Sequence, residues 1–297
     1  MEVDAPDPGL AWGCVREGRY DPSELARAGP SRAVALSEPL LIRVYGMRRS
    51  GNHAVIDWLR RNMPGETVFL NDCAAGDPYA SFQALETPRG DRHGPAFRDT
   101  RWYRQFQEGR DRFHHVVSYE DVAVGADPSG WQGRWRTVVV HRGFLGWLAS
   151  YYALVAGRQR GTRWGVAEPT EIAPRIAAYA ALLAASADAS ISLERWAHGI
   201  DARRAALGAL GLAPRDDDAG AQARYGGGSS FRPGPAAPTA VELAGRWHAF
   251  AHDDAFEAIA RDAARNDAFM AALADVYPKD VARLERLARG GRLRDER

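Results

Sequence analysis

Residues 40–59 constrain the fold more than any other part of the chain. An apolar run at 40–44 is followed by the loop sequence GMRRSGNH at 46–53 and then by apolar residues at helical spacing over 54–59. This order predicts a strand, a glycine-bounded loop and a helix. Backbone N–H groups in such a loop, and the N-terminus of the helix after it, bind anions. We therefore predict a phosphate-binding loop; the alternative is a tight turn without a ligand.

The loop differs from that of a nucleoside-triphosphate-binding protein. Such a loop carries Lys after its second Gly, for the β- and γ-phosphates, and then Ser or Thr for Mg²⁺. Here Asn52 and His53 occupy those two positions, and the cation lies upstream at Arg49. The pattern favours a phosphate-type donor that is bound without a metal ion.

A second segment points to the same edge of the sheet. Residues 137–141 (TVVVH) read as a buried strand, and Arg142 follows at its carboxyl end. A helix is predicted from residue 144, with Ser150 eight positions after Arg142. Ligands of open α/β sheets bind beyond the carboxyl ends of the strands, so Arg49 and Arg142 should face one crevice. The alternative is that Arg142 pairs with a carboxylate and Ser150 packs within its helix.

Together these motifs resemble those of the sulfotransferases that use 3′-phosphoadenosine 5′-phosphosulfate. In that family the strand–loop–helix binds the 5′-phosphosulfate, and the second strand, with its Arg and a Ser eight residues later, binds the 3′-phosphate. The resemblance covers about residues 40–275. It implies an α/β fold of three layers around a mostly parallel sheet, a P-loop-like strand–loop–helix, adenosine 3′,5′-bisphosphate as product, and no metal. His53, where Thr is common, and His141, before the second Arg, depart from the family pattern.

The resemblance also implies a set of site residues. Residues 191–196 (ISLERW) resemble a strand with a Glu, and residues 224–231 (RYGGGSSF) resemble a loop that closes over the 3′-phosphate. Arg49 would stabilise the oxygen that leaves the sulfur; His53 would assist it or is fixed by packing. The predicted donor ligands are Arg48, Arg49, Ser50, Gly51, Asn52, His53, Arg142, Ser150, Gly227, Gly228 and Ser229.

Sulfuryl transfer also needs a base that takes the acceptor's proton. Family members supply it from the third strand, as His or Glu, and Glu120 directly follows the predicted strand 114–119. Glu120 is our first choice. His114, His115 and Asp72 are alternatives, and a structural pairing of Glu120 with a nearby Arg is another.

Composition limits the remaining possibilities. The 297 residues are 45% hydrophobic, enough for one large domain or two small ones, and the formal net charge of +1 gives no general footprint for nucleic acid. Two cysteines are too few for a disulfide framework or a metal site. We expect a cytoplasmic, bacterial enzyme without an integral membrane segment. Its acceptor would be a hydroxyl or amine of a carbohydrate, glycolipid or secondary metabolite, and the oligomeric state is not indicated.

The predicted organisation is an N-terminal extension, 1–38, and a single domain, 39–297. Residues 71–113 form an insertion, either a substrate-facing lid or a surface excursion, in which Trp102 and Tyr103 are candidate acceptor contacts. Residues 213–238 form a loop that we expect to be mobile until ligand binds. The predicted strands are 40–45, 67–70, 114–119, 136–141 and 190–193. The predicted helices are 52–62, 144–156, 172–187, 200–211, 239–249, 254–263, 266–275 and 280–289.

Three functions follow from these features. The first is a sulfotransferase. The second is a metal-dependent P-loop nucleotide kinase or NTPase with a degenerate loop, in which Asp72 or Asp121 would hold the ion. The third is a catalytically silent module that binds the bisphosphate.

Overall fold

The chain folds around a seven-stranded, mostly parallel sheet with helices on both sides, which confirms the predicted α/β class. A computed structural model describes residues 38–125, 131, 133–158, 172–219 and 243–295. The strand order is β4-β3-β2-β5-β1-β6-β7. Five strands run parallel to one another, in the order β2-β5-β1-β6-β7, and β3 and β4 add an antiparallel edge beside β2. The strands are β1 (Leu40–Gly46), β2 (Thr67–Asn71), β3 (Ala84–Glu86), β4 (Arg92–His93), β5 (His114–Glu120), β6 (Arg134–His141) and β7 (Ala189–Ser192).

The helices pack in two layers because alternate residues of each strand point to opposite faces of the sheet. On one face Ile42 and Val116 pack against α1, α6 and α7; on the other Leu41 and Val117 pack with α4, α5 and α8 to α10. The helices are α1 (Asn52–Asn62), α2 (Pro78–Ser81), α3 (Arg101–Glu108), α4 (Phe144–Arg158), α5 (Ala173–Leu183), α6 (Leu193–His198), α7 (Ile200–Ala209), α8 (Asp254–Ala264), α9 (Asp267–Ala274) and α10 (Pro278–Ala288). Short 3₁₀ helices cover Pro95–Asp99, Arg110–Arg112, Arg246–Phe250 and Leu293–Asp295.

The sheet order places a crevice beside β1. The chain leaves β1 for β2 on one side, whereas β6 and β7 lie on the other side. Helix α1, which follows β1, packs on one face of the sheet, and α4, which follows β6, packs on the other face. The neighbouring loops at the carboxyl ends of these two strands therefore diverge, and open α/β sheets bind ligands at such a position. Both predicted anion loops lie at this position.

Several predicted boundaries need correction. Helix α5 ends at Leu183 rather than at 187, and β7 ends at Ser192, so Glu194 belongs to helix α6 and not to a strand. The insertion 71–113, predicted without clear periodicity, contains α2, β3, β4 and α3. Within predicted helix 239–249, the described residues from 246 form a 3₁₀ helix. Most of the predicted extension 1–38 and the predicted ligands Gly227, Gly228 and Ser229 lie outside the described residues.

In the described ranges, no helix combines the length and apolar character that a membrane crossing requires.

Candidate functional site

The first loop connects the end of β1 to α1 in a tight turn. The N–H of Ser50 donates to the carbonyl of Met47 (3.0 Å), and Gly51 has a φ of 91°, a conformation that favours glycine. The side chain of Asn52 folds back under the turn and donates to the same Met47 carbonyl (3.3 Å). The first N–H groups of α1 have no partner within the helix. The hydroxyl oxygen of Ser50 is buried and has no hydrogen-bond partner among the residues that the structure describes.

The second loop carries Arg142 into the interior between the two loops. Its side chain is 1% exposed, and its guanidinium donates to the carbonyls of Arg49 (3.4 Å) and Leu243 (3.0 Å). Its Nε atom is buried and has no hydrogen-bond partner within the described ranges. The indole N–H of Trp147, on α4, donates to the carbonyl of Arg48 (3.0 Å). The two predicted anion loops are therefore in direct contact.

The surroundings of Arg142 are rich in positive charge. Burial, helped by the neighbouring cations Arg246 and Arg49, lowers the pKa of Arg142 to about 9, although the negative charge of Glu194 opposes this shift. Burial also lowers the pKa of Arg49. In the part of the chain that the structure describes, no carboxylate forms an ion pair with Arg142. Nearby Ser150 is 1% exposed, and its hydroxyl accepts a hydrogen bond from Arg246 (3.4 Å).

A cluster of carboxylates lies at the same edge, around Arg48. The Arg48 guanidinium contacts Asp72 (3.1 Å) and Glu120 (3.2 Å), and its backbone N–H donates to Asp121 (2.8 Å). Glu120 also accepts from the amide of Asn52 (3.3 Å). Burial opposes the charge of Arg48, but the three carboxylates raise its pKa; burial raises the pKa of Asp72 although Arg48 opposes this. Arg48, a predicted donor ligand, thus binds the candidate bases.

Backbone strain is concentrated at this edge. Arg49, Asp72 and Asp121 have φ values of 75°, 51° and 59°, and each follows a parallel strand. Among the described residues, these are the non-glycine residues in the left-handed region. Such conformations cost about 1–3 kcal/mol each and cluster at functional sites. Their shared position marks the carboxyl edge of the sheet as the candidate site.

The segment after β7 supports both loops. A Cβ atom on Gly51 would lie 2.6 Å from the side chain of Leu193, so that side chain packs directly against the first loop. The carboxylate of Glu194 accepts from the N–H of Gly143 (2.9 Å), in the second loop. The hydroxyl of Tyr179 donates to the carbonyl of Arg142. These contacts fix the backbone of both turns.

The histidine predictions have different outcomes. His53 lies in the first turn of α1 and contacts the side chain of Asn71 (2.9 Å), so it is close to the candidate bases. His114 and His115 lie at the opposite end of β5, and as alternative bases they are therefore wrong: His114 accepts from the N–H of Leu40, and burial lowers the pKa of His115 to about 4. His141 is held by the hydroxyl of Tyr277 (2.7 Å), which gives it a structural role.

The two residues of the insertion that were predicted to contact the acceptor, Trp102 and Tyr103, differ in burial. Tyr103 is 8% exposed, and its hydroxyl donates to the carbonyl of Tyr79, so it belongs to the core. Trp102 is partly buried, with the guanidinium of Arg101 over its ring (4.1 Å). The structure therefore removes Tyr103 from the candidate acceptor contacts.

Two arginines at the site were missed by the sequence reasoning. Arg246 lies in the 3₁₀ helix Arg246–Phe250 and approaches Ser150, and Arg175, on α5, pairs with Asp121. Neither residue belongs to a recognisable local pattern. Their partners lie 96 and 54 positions away in the chain, so spacing could not have identified them.

Comparisons with known proteins add no relative to this picture: neither the family models, nor the curated proteins, nor the solved structures gave a match. Within the described ranges, no three His, Cys, Asp or Glu side chains are grouped so that they could hold a metal ion. The function proposed below rests on the arrangement of the two loops.

Proposed function

We propose that the protein is a sulfotransferase that moves the sulfuryl group of 3′-phosphoadenosine 5′-phosphosulfate to a hydroxyl or amine of a small-molecule or glycan acceptor. The proposal combines the resemblance of residues 48–53 and of Arg142 with Ser150 to the donor-binding motifs. The fold supports it, because the first motif follows β1 and the second follows β6, the parallel neighbour of β1. A P-loop-like function for the first loop is part of the same proposal.

One observation carries the proposal: a buried guanidinium joins the two loops and has hydrogen-bonding capacity left over. Arg142 is 1% exposed, yet its Nε atom has no partner and no carboxylate among the described residues pairs with it. A buried charge without an ion-pair partner is costly. A phosphate bound beside Ser150 would supply that partner, and the buried hydroxyl of Ser50 would serve the other anion in the first loop.

The carboxylate cluster supports an acid–base role for the same crevice. In the proposed reaction the acceptor oxygen or nitrogen bonds to sulfur, the sulfur–oxygen bond to the 5′-phosphate breaks, and the acceptor's proton passes to a carboxylate. Glu120 and Asp72 both contact Arg48. Burial raises the pKa of Asp72, which suits a proton acceptor, whereas Glu120 is held by two donors. Both remain candidates for the base.

Ligand-induced thermal shifts test the donor site. We expect adenosine 3′,5′-bisphosphate to stabilise the protein without metal, and more than adenosine 5′-monophosphate does. Arg142→Ala should weaken bisphosphate binding roughly tenfold to a hundredfold, because a charge-assisted hydrogen bond contributes about 1.5–3 kcal/mol. Arg43→Ala is the matched control, since Arg43 is also buried but bonds to Thr137 in mid-sheet. It should leave the ligand-induced shift unchanged.

Two other results would replace the proposal. If ATP with Mg²⁺ stabilises the protein and adenosine 3′,5′-bisphosphate does not, the metal-dependent kinase or NTPase is favoured. If the protein binds the bisphosphate but transfers no label from ³⁵S-labelled donor to any of a panel of alcohol and amine acceptors, a silent binding module is favoured. If transfer occurs, Glu120→Gln and Asp72→Asn identify the base: the essential carboxylate is the one whose loss reduces turnover without weakening bisphosphate binding.

A further inference from the structure

The helix that carries Ser150 has a gap on the face that the second loop uses. Gly146 lies one turn before Ser150, so the two residues share a face of α4. A Cβ atom on Gly146 would lie 2.9 Å from the carbonyl of Leu243 and 3.2 Å from Nε of Arg142. The absence of a side chain at 146 therefore lets the backbone of Leu243 and the Arg142 guanidinium approach α4 together.

This approach brings a second arginine to the same place. Arg142 donates to the carbonyl of Leu243 (3.0 Å), and three residues later Arg246 donates to the hydroxyl of Ser150 (3.4 Å). The 3₁₀ helix Arg246–Phe250 is anchored by Trp247, which is 1% exposed. Arg246 is only partly buried, so it can face both Ser150 and a ligand in the crevice.

We propose that Arg246 is a donor-binding residue that, with Arg142 and Ser150, holds the 3′-phosphate and so determines the preference for a 3′-phosphorylated nucleotide. The proposal rests on the proposed function, because it assigns a further residue to that donor site. The guanidinium of Arg246 reaches the buried hydroxyl of Ser150, and its positive charge acts on Arg142 as well, so an anion bound between the two arginines would be attracted by both. Since Ser150 accepts from Arg246, its own proton can be donated to a phosphate oxygen.

The test measures the preference for adenosine 3′,5′-bisphosphate over adenosine 5′-monophosphate by calorimetric titration. The wild-type protein should prefer the bisphosphate. In Arg246→Gln this preference should fall roughly tenfold, while the affinity for the monophosphate, which also reports correct folding, stays unchanged. Arg246→Lys keeps the charge but loses the planar fork, so it should give an intermediate preference. Arg265→Gln removes an exposed charge that pairs with Asp262 on α8 and should leave both affinities unchanged.

Each other outcome overturns the assignment in an identifiable way. If Arg246→Gln keeps the wild-type preference, or loses both ligands equally while Arg246→Lys does the same, Arg246 does not read the 3′-phosphate, although the proposed function stands. If the wild-type protein itself shows no preference for the bisphosphate, the proposed function fails together with this assignment. Gly146→Ala gives an independent check, because the added methyl group should reduce the same preference.

Discussion

Arg142 should make the ligand-free protein less stable than an apolar side chain would. Burial and the neighbouring cations lower its pKa from the ordinary value of 12.5 to about 9. A displacement of that size corresponds to roughly 5 kcal/mol against the charged form. The hydrogen bonds to the carbonyls of Arg49 and Leu243 offset part of this cost, about 1–3 kcal/mol together. We therefore expect Arg142→Met to raise the free energy of unfolding by about 2–4 kcal/mol, as other replacements of buried charges do.

The assay is equilibrium denaturation by urea at pH 7.5 without nucleotide, followed by titration with adenosine 3′,5′-bisphosphate. Arg142→Met should unfold at higher urea concentration and bind the bisphosphate at least tenfold more weakly. Arg43→Met is the matched control, because Arg43 bonds to Thr137 (2.8 Å) and lies over the ring of Trp135 (4.1 Å). It should lose about 1–3 kcal/mol. A loss of stability in Arg142→Met similar to that of the control would refute the reasoning and show that Arg142 is a structural bridge.

Three further predictions concern the surroundings of the site. Burial raises the pKa of Asp280 to about 6, above its ordinary value of 3.8, so the stability that this group contributes is present below pH 4 and is lost as the pH rises to 6. Asp280→Asn keeps an oxygen for the N–H of Leu145 and does not titrate. Its free energy of unfolding relative to that of the wild type should therefore rise by about 3 kcal/mol from pH 4 to pH 7, as measured by urea denaturation at both pH values. Glu194→Ala leaves the N–H of Gly143 without its acceptor and should cost about 1–3 kcal/mol in the same assay, whereas Glu194→Gln, which can keep the bond, should cost less; equal losses would contradict this role. Arg48→Gln leaves three carboxylates close together and should lower the free energy of unfolding by about 2–3 kcal/mol at pH 7. The loss should be smaller at pH 5, where the carboxylates can take up protons. Thermal melts at both pH values measure it, and a loss of stability that does not depend on pH would argue against this reasoning.

The parts of the fold that the sequence predicted well are those that local pattern determines. Helix α1 begins and ends at the predicted residues, Asn52 and Asn62, because a glycine-bounded loop precedes a clear apolar stripe. The parallel strands were found to within two residues for the same reason, since buried strands are continuous apolar runs. The insertion could not be predicted in this way. Its strand β3 has three residues, and long-range contacts such as that between Tyr103 and Tyr79 hold it.

The candidate site shows the same division. Arg49 and Arg142 could be placed at one crevice because each follows a strand, and the loops that carry them are in contact. The partners of those loops could not be predicted. Arg48 pairs with Asp72 and Glu120, which lie 24 and 72 positions away, and such pairings depend on how the strands are ordered in the sheet. No spacing rule gives that order from one sequence.

The support of both loops by Leu193 and Glu194 has a consequence for selectivity. These two neighbouring residues touch the first loop at Gly51 and the second at Gly143. Together they help to set the distance between the two turns that we propose bind anions. Under the proposed function, a change of side-chain volume at position 193 would alter the spacing of the two turns, and with it the donor that fits them, while every proposed ligand-binding side chain stays as it is.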